Sequence, residues 1–265
     1  HKVGQRKGAR DMKILVVRKK LWTSVGCLLL ALVIVSAVSL PASVTAAATK
    51  RELPIYSVQP REGEKKLSIS FDAAWGADDT DTLIEILGKY NVKATFFVVA
   101  QWVDTYPDEV RKLADAGHEV MNHSTTHPYF TQCSEEKVRQ EVETCNDRIE
   151  AITGVRPTLI RCPYGDYNDS VIRTIRSLGM EPIQWSVDSL DWMDSSTADS
   201  IFRKVTGEAQ AGSIILCHND AKYTPDALED ILKTLLDEGY TFVPISQLIL
   251  TGDYTIDHTG MQCPA

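Results

Sequence analysis

Cysteine is scarce in this chain: six in 265 residues, none in a CxxC pair and an odd five after Cys27. That count argues against a disulfide scaffold, which a domain of this size does not need. No internal repeat and no low-complexity segment is present. Basic charge is also thin outside the start. The first fifty residues hold nine of the 28 Lys/Arg and one of the 36 Asp/Glu, so the remainder carries 19 basic against 35 acidic residues, a formal charge of −16. Such a body is not built to bind nucleic acid through phosphates. What is left, 43% hydrophobic and 24% charged, is the composition of a globular protein with one good core.

Long apolar runs are limited to one, Val25 to Leu40, somewhat short of the ~20 residues of a spanning helix. It follows a basic stretch that includes Arg18, Lys19 and Lys20, and it precedes Pro41 and the small residues Ala42 to Ala48. That order is expected of an export signal cleaved near Ala46 to Ala48, with an uncleaved anchor as the alternative. Met12 is read as the true start. Residues 1–48 are thus assigned to an N-terminal extension with signal or anchor, 49–64 to a linker, 65–252 to one domain and 253–265 to a tail. Localisation follows as exported, with any membrane contact made only through an uncleaved N-terminal segment.

Within the domain, short apolar segments alternate with one-faced helical patterns. Strands are expected at Leu67–Phe71, Ala94–Val99, His118–Asn122, Thr158–Cys162, Pro182–Val187, Ser213–Cys217 and Thr241–Ile245, apolar throughout as strands covered on both faces are. Helical spacing links Leu83, Ile86, Leu87 and Tyr90, then Val138, Val142, Cys145, Ile149 and Ile152, then Leu228, Ile231, Leu232, Leu235 and Leu236. Gly117, Gly154, Gly179, Gly212 and Gly239 stand where helices should hand over to strands. Seven strands alternating with helices predict a parallel α/β domain, either a barrel or a doubly wound sheet. Cys145, Cys162 and Cys217 are expected in the core.

Titratable residues gather at the carboxyl ends of these strands. Asp72 follows the first, His123 and His127 the third, Asp188 and Asp191 the fifth and His218 the sixth, while Arg161 ends the fourth. Active sites of parallel α/β folds are built on that face. His123 and His127, four apart in a helical turn, could share one metal ion, or could be ordinary surface residues. Arg161 could hold Asp72 ionised as a general base, or the two could form a structural ion pair. The turn Arg161-Cys-Pro-Tyr-Gly165 can aim a backbone N–H at a developing oxyanion near Tyr164. Asp191 can fix the His218 tautomer for general acid work, the alternative being a satisfied core histidine. Trp192 and Leu216 could wall a small pocket for a methyl group, or be plain core.

These segments, taken in order as Ser70-Phe-Asp72, His123-Ser-Thr-Thr-His127, Arg161-Cys-Pro-Tyr-Gly165, Asp188-Ser-Leu-Asp191-Trp192 and Leu216-Cys-His218, resemble the polysaccharide deacetylases of the NodB-homology type, carbohydrate esterase family 4. The resemblance spans roughly Lys66 to Leu250. It implies a distorted (β/α)7 barrel that removes N-acetyl groups from N-acetylglucosamine polymers such as peptidoglycan or chitin. It implies Asp72 as the base acting on a water held by a divalent metal, Arg161 as its tether, and His123 and His127 as metal ligands. Backbone near Tyr164 would bind the oxyanion, and His218, oriented by Asp191, would protonate the leaving amine. The metal is expected to be Zn, with Co, Mn or Ni as alternatives, the partner a glycan polymer, and the chain a monomer.

One position departs from the family. The usual first motif has two successive aspartates, the second being a metal ligand; here that position is Ala73. The variant resembles the sporulation-associated subgroup. Asp78 and Asp79 could substitute, or could simply cap the next helix. Two alternatives to an active deacetylase therefore stand: a catalytically weak glycan-binding pseudoenzyme on the same fold, and another amide or ester hydrolase using the same groups.

Overall fold

The computed structural model describes residues 51–265, and the export and anchor assignments fall outside them. Strand β2 (Lys66–Ala73) sets the architecture. Its odd residues Leu67, Ile69, Phe71 and Ala73 are buried in the apolar layer toward the helices, whereas Ser68, Ser70 and Asp72 are buried on the opposite face. Alternation of period two thus divides the strand into an apolar back and a polar front. Ser68 Oγ donates to Val243 O and Ser70 Oγ to Ile215 O, each at 2.6 Å, so these interior hydroxyls are satisfied.

Around β2 stand β3 (Thr95–Val98), β4 (Glu119–Asn122), β5 (Leu159–Ile160) and β6 (Glu181–Pro182) on one side. On the other stand β8 (Ile214–His218) and β7 (Val187–Asp188), while β9 (Thr241–Phe242) pairs with the start of β2. Every pair in this sheet is parallel. Successive strands step around in order without the reversal of a doubly wound sheet, which bears out the barrel. The two edge strands β6 and β7 are joined by Ile183–Ser186 alone, a reach of at most about 18 Å. The row must therefore curl until its edges face each other. The expected single strand Pro182–Val187 is for that reason two short strands, with Gln184 and Trp185 turned out of both pairings.

Helices cover the back: α1 (Thr80–Lys89), α2 (Ala100–Thr105), α3 (Pro107–Asp115), α4 (Glu135–Thr153), α5 (Asp169–Ser177), α6 (Ala198–Glu208) and α7 (Thr224–Asp237). The apolar stripes foreseen on α1, α4 and α7 pack into the main core cluster through Leu83, Leu87, Cys145, Ile149, Leu228, Ile231, Leu232 and Leu235. Gly154 ends α4 in the left-handed region at φ 75. Cys145, Cys162 and Cys217 are buried and free. Among the described residues no helix is long and apolar enough to cross a membrane.

Three expectations need correction. Ile245 belongs to a short helix, α8 (Ile245–Leu248), not to a strand. The stretch expected as linker supplies β1 (Ser57–Val58), and the expected tail supplies β10 (Tyr254–Ile256) and β11 (Met261–Pro264); the three form a small sheet. Its anchor is Gln262, fully buried, which accepts from Leu250 N at 2.7 Å and donates to Leu250 O at 3.0 Å. Gly212, at φ 85, lies so near β1 that a Cβ would fall 1.8 Å from Val58 O.

Candidate active site

The front ends of β2, β4, β5, β7 and β8 open into a cavity of about 440 Å³ lined by Asp72, Ala74, Trp75, His123, His127, Tyr164, Gly165, Trp185, Asp188, Trp192, Leu216 and His218. Exposed aromatics surround it. Trp75 is 73%, Trp192 61%, Tyr164 54% and Tyr129 46% exposed, and Tyr129 stacks on Tyr164 with ring centroids 4.0 Å apart.

On the floor, Arg161 emerges directly after β5 and is wholly buried. Its Nη1 donates to Asp72 Oδ1 at 2.8 Å and Ser70 Oγ at 3.0 Å, and its Nη2 donates to Gln184 O at 3.0 Å. The guanidinium lies over the Phe97 ring at 4.3 Å. Burial pushes the Asp72 carboxyl up, but the charge and hydrogen bond of Arg161, foremost among its neighbours, outweigh it and hold it below the ordinary carboxylate range. A buried carboxylate kept ionised at the cavity wall, its Oδ2 3.6 Å from His123 Nε2, is equipped to take a proton.

Beside it stands a second pair. Asp72 and His218 are Cα partners in the β2–β8 ladder. His218 Nδ1 donates to Asp191 Oδ1 at 2.7 Å, which fixes the tautomer because a carboxylate can only accept. Asp191 Oδ2 accepts from His218 N at 2.8 Å and Thr224 Oγ1 at 2.6 Å, so the carboxylate is locked. Burial lowers the His218 pKa, yet the Asp191 hydrogen bond and the charges of Asp191, Asp72 and Asp188 raise it further, leaving it above the ordinary imidazole value. Such a histidine can hold and deliver a proton.

The two remaining histidines do converge, although the expected helical turn is not formed. Ser124 at φ 74 and His127 at φ 59 bend the segment through the left-handed region. His123 Nδ1 donates to Arg161 O at 2.7 Å, which leaves Nε2 as a lone pair, and the His127 Nε2 atom is 3.2 Å from it. Burial holds both pKa values down, His127 to about 4, so both rings are neutral near pH 7.

These atoms offer a test of fit for a metal. In whichever tautomer His127 adopts, its buried Nδ1 has no partner. At an ion–nitrogen distance of about 2.1 Å, a 3.2 Å separation subtends an angle of about 100° at the ion, within the range of real coordination. The histidine pair therefore fits. A third donor does not join it: among the described residues no group of three His, Cys, Asp or Glu is arranged to hold an ion. Ala73 is buried in the apolar cluster behind β2, outside the cavity lining. Asp79 is occupied elsewhere, accepting from Asn219 Nδ2 at 2.7 Å and Asp220 N at 2.9 Å. Burial and the Asp220 charge raise it to about 6.

All the residues foreseen from strand ends thus border or underlie one cavity. Trp192 and Leu216 line it, as does Tyr164 at φ 60. Trp185 and Gln184 were missed because they were assigned to the interior of a strand. Glu141 was also missed. It stands among Val138, Val142 and Cys145, and an acid in an apolar helical stripe was the available signal.

Comparison with known proteins identifies the family. A family model described as polysaccharide deacetylase matches residues 59–183. The peptidoglycan-N-acetylmuramic acid deacetylase PdaC of Bacillus subtilis is 36% identical over 185 residues, 70% of this chain and 39% of PdaC. The peptidoglycan-N-acetylglucosamine deacetylase PgdA of Listeria monocytogenes is 34% identical over 78% of this chain and 44% of its own. This chain therefore spans about two fifths of these relatives' length. A solved structure of PdaC aligns with a TM-score of 0.65 at 36% identity, covering 71% of this chain and 91% of that one. A CE4 family pseudoenzyme from Bacillus anthracis aligns with a TM-score of 0.70 at 32% identity, covering 74% of this chain and 68% of that one.

Proposed function

Because this chain belongs to the polysaccharide deacetylase family, we propose that it hydrolyses N-acetyl groups from N-acetylglucosamine-type residues of a cell-wall glycan such as peptidoglycan. The observation that carries this reading is the meeting of two complete acid–base pairs, Arg161–Asp72 and Asp191–His218, side by side at one cavity. Asp72 takes a proton from the attacking water. His218, whose pKa the pairing with Asp191 raises, gives a proton to the departing amine nitrogen. Backbone of the Pro163–Gly165 turn faces the developing oxyanion, and Trp192 and Leu216 enclose the acetyl methyl. A divalent ion, Zn or alternatively Co, Mn or Ni, would be held by His123 and His127 and would supply Lewis-acid polarisation. Exposed rings of Trp75, Tyr164 and Trp192 around the cavity suit the flat faces of sugars in a polymer.

Export fits a substrate outside the cytoplasm and rests on the N-terminal sequence pattern. The decisive assay is acetate release from N-acetylglucosamine oligomers and from peptidoglycan, with and without chelator. Release that depends on Asp72 and His218 supports the reading. A second reading, a glycan-binding pseudoenzyme, is favoured by Ala73. It predicts measurable glycan binding and no acetate release with Zn, Co, Mn or Ni supplied.

A further inference from the structure

The backbone that carries the two histidines is shaped from outside the cavity. Glu141 lies on α4, is 1% exposed and lines no part of the cavity. Its Oε2 accepts from Thr125 N at 2.9 Å and Thr126 N at 2.7 Å, and its Oε1 accepts from Thr126 Oγ1 at 2.8 Å. Its own main-chain carbonyl accepts from Thr125 Oγ1 at 2.7 Å. Lys137 Nζ, one helical turn earlier, closes the set at 3.0 Å from Oε1. Burial raises the Glu141 pKa, but the hydrogen bonds from Lys137, Thr126 and Thr125 outweigh it and keep the group ionised. Apart from Lys137, its donors thus come from Thr125 and Thr126, two of the three residues between His123 and His127.

That segment needs such help. Ser124 and His127 sit in the left-handed region, which β-carbons disfavour, so the turn does not persist on intrinsic preference. Asn122 braces its start by accepting Ser124 N at 2.7 Å while donating to Val142 O on α4 at 2.8 Å. Ser124 Oγ accepts His127 N at 3.0 Å. Remove the carboxylate, and two adjacent N–H groups lose their acceptors at the point where the chain reverses.

We propose that Glu141 is a positioning residue: its buried carboxylate templates the 124–127 turn so that the Nε2 atoms of His123 and His127 converge on one divalent ion. The inference rests on the two-histidine reading of the site. Glu141→Gln keeps the volume, removes the charge and presents an amide to the Thr125 or Thr126 N–H. A purely structural role would lower stability alone, so Ile149→Ala, a core truncation on the same helix, is the control.

The test is calorimetric titration of the folded proteins with Zn2+, together with the visible spectrum of bound Co2+. Glu141→Gln should weaken Zn2+ binding about 10- to 100-fold, as supporting partners of metal ligands do, and should alter the Co2+ spectrum. Ile149→Ala should lower Tm and leave both readouts at wild-type values. Should Glu141→Gln fail to fold, Thr126→Val deletes one of the bonds and should weaken Zn2+ several-fold. Wild-type affinity and spectrum in whichever of these variants folds would overturn the proposal, as would a wild-type protein that binds no Zn2+. The hydrolase reading is judged separately, by acetate release.

Discussion

The two halves of the cavity are built to different standards. On the side of the proposed proton transfer, Asp72 and His218 are partners in the longest ladder of the sheet, β2–β8, and each has a locked partner, Arg161 or Asp191. On the histidine side, His123 and His127 ride a strained turn, His127 Nδ1 has no partner, and Ala73 offers no donor. One half keeps every group needed to move protons. The other keeps the least that could hold an ion. A protein that only bound glycan would gain nothing from an ionised aspartate beside a histidine oriented by its own carboxylate, so the contrast favours the proposed hydrolysis with a weakly held metal.

The largest effect should come from breaking the complete half. Asp72→Asn or His218→Ala should reduce acetate release about 10²- to 10⁴-fold, the usual contribution of a positioned acid or base. Bound Zn2+ in the His218→Ala protein should stay at the wild-type level. His123→Ala should do the converse and abolish bound ion. Metal content measured beside activity separates the two, and a His218→Ala protein with full activity would remove the acid role.

Next in size is the pH response. As the proposed acid, His218 acts in its protonated form, so activity should fall as pH rises through its pKa, which Asp191 raises above the ordinary imidazole value. Asp191→Asn removes that cause. The alkaline limb of the kcat profile should then move to lower pH, alongside a lower maximum. An unmoved limb would show that another group sets it.

A smaller effect sharpens the incomplete half. Ala73→Asp places a carboxyl in the apolar layer behind β2 unless it turns toward the histidines. In chelator the variant should be destabilised by about 1–3 kcal/mol, the cost of a buried polar group without partners. Added Zn2+ should raise its Tm more than it raises that of wild type, because ion binding is linked to the folded state. Equal shifts by thermal scan would show that the carboxyl does not reach the ion.

Those differences track what sequence could and could not show. Asp72, Arg161, Asp191 and His218 were legible because each stands at or shortly after the carboxyl end of a strand, and parallel strands bring those points together whatever the loops do. The 123–127 turn was not legible: neither Ser124 nor His127 is a glycine, so nothing local announces a left-handed backbone. Its geometry comes from Glu141, whose partners are 15 and 16 positions away. The stretch around Gln184 was read as one strand because its composition is strand-like. Only curling of the whole row forces it to cross between edges. The tail was misread for a similar reason, since Gln262 reads as a polar surface residue until its amide meets Leu250.

The smallest expected effect concerns the rim. Trp192 lies four residues past the end of β7 and is 61% exposed, so its removal should cost the fold little. Stacking on a sugar face contributes roughly 0.5–1.5 kcal/mol, which corresponds to a KM rise of about two- to tenfold for Trp192→Ala on oligomers. If the ring only binds the chain, kcat should hold, because binding energy shared equally by ground and transition states affects KM alone. If it also encloses the acetyl methyl, kcat should fall as well, and the fall should persist on the shortest substrate that is still cleaved. Measuring both constants across oligomer lengths therefore decides whether Trp192 belongs to the reacting centre or to the surface that delivers the glycan to it.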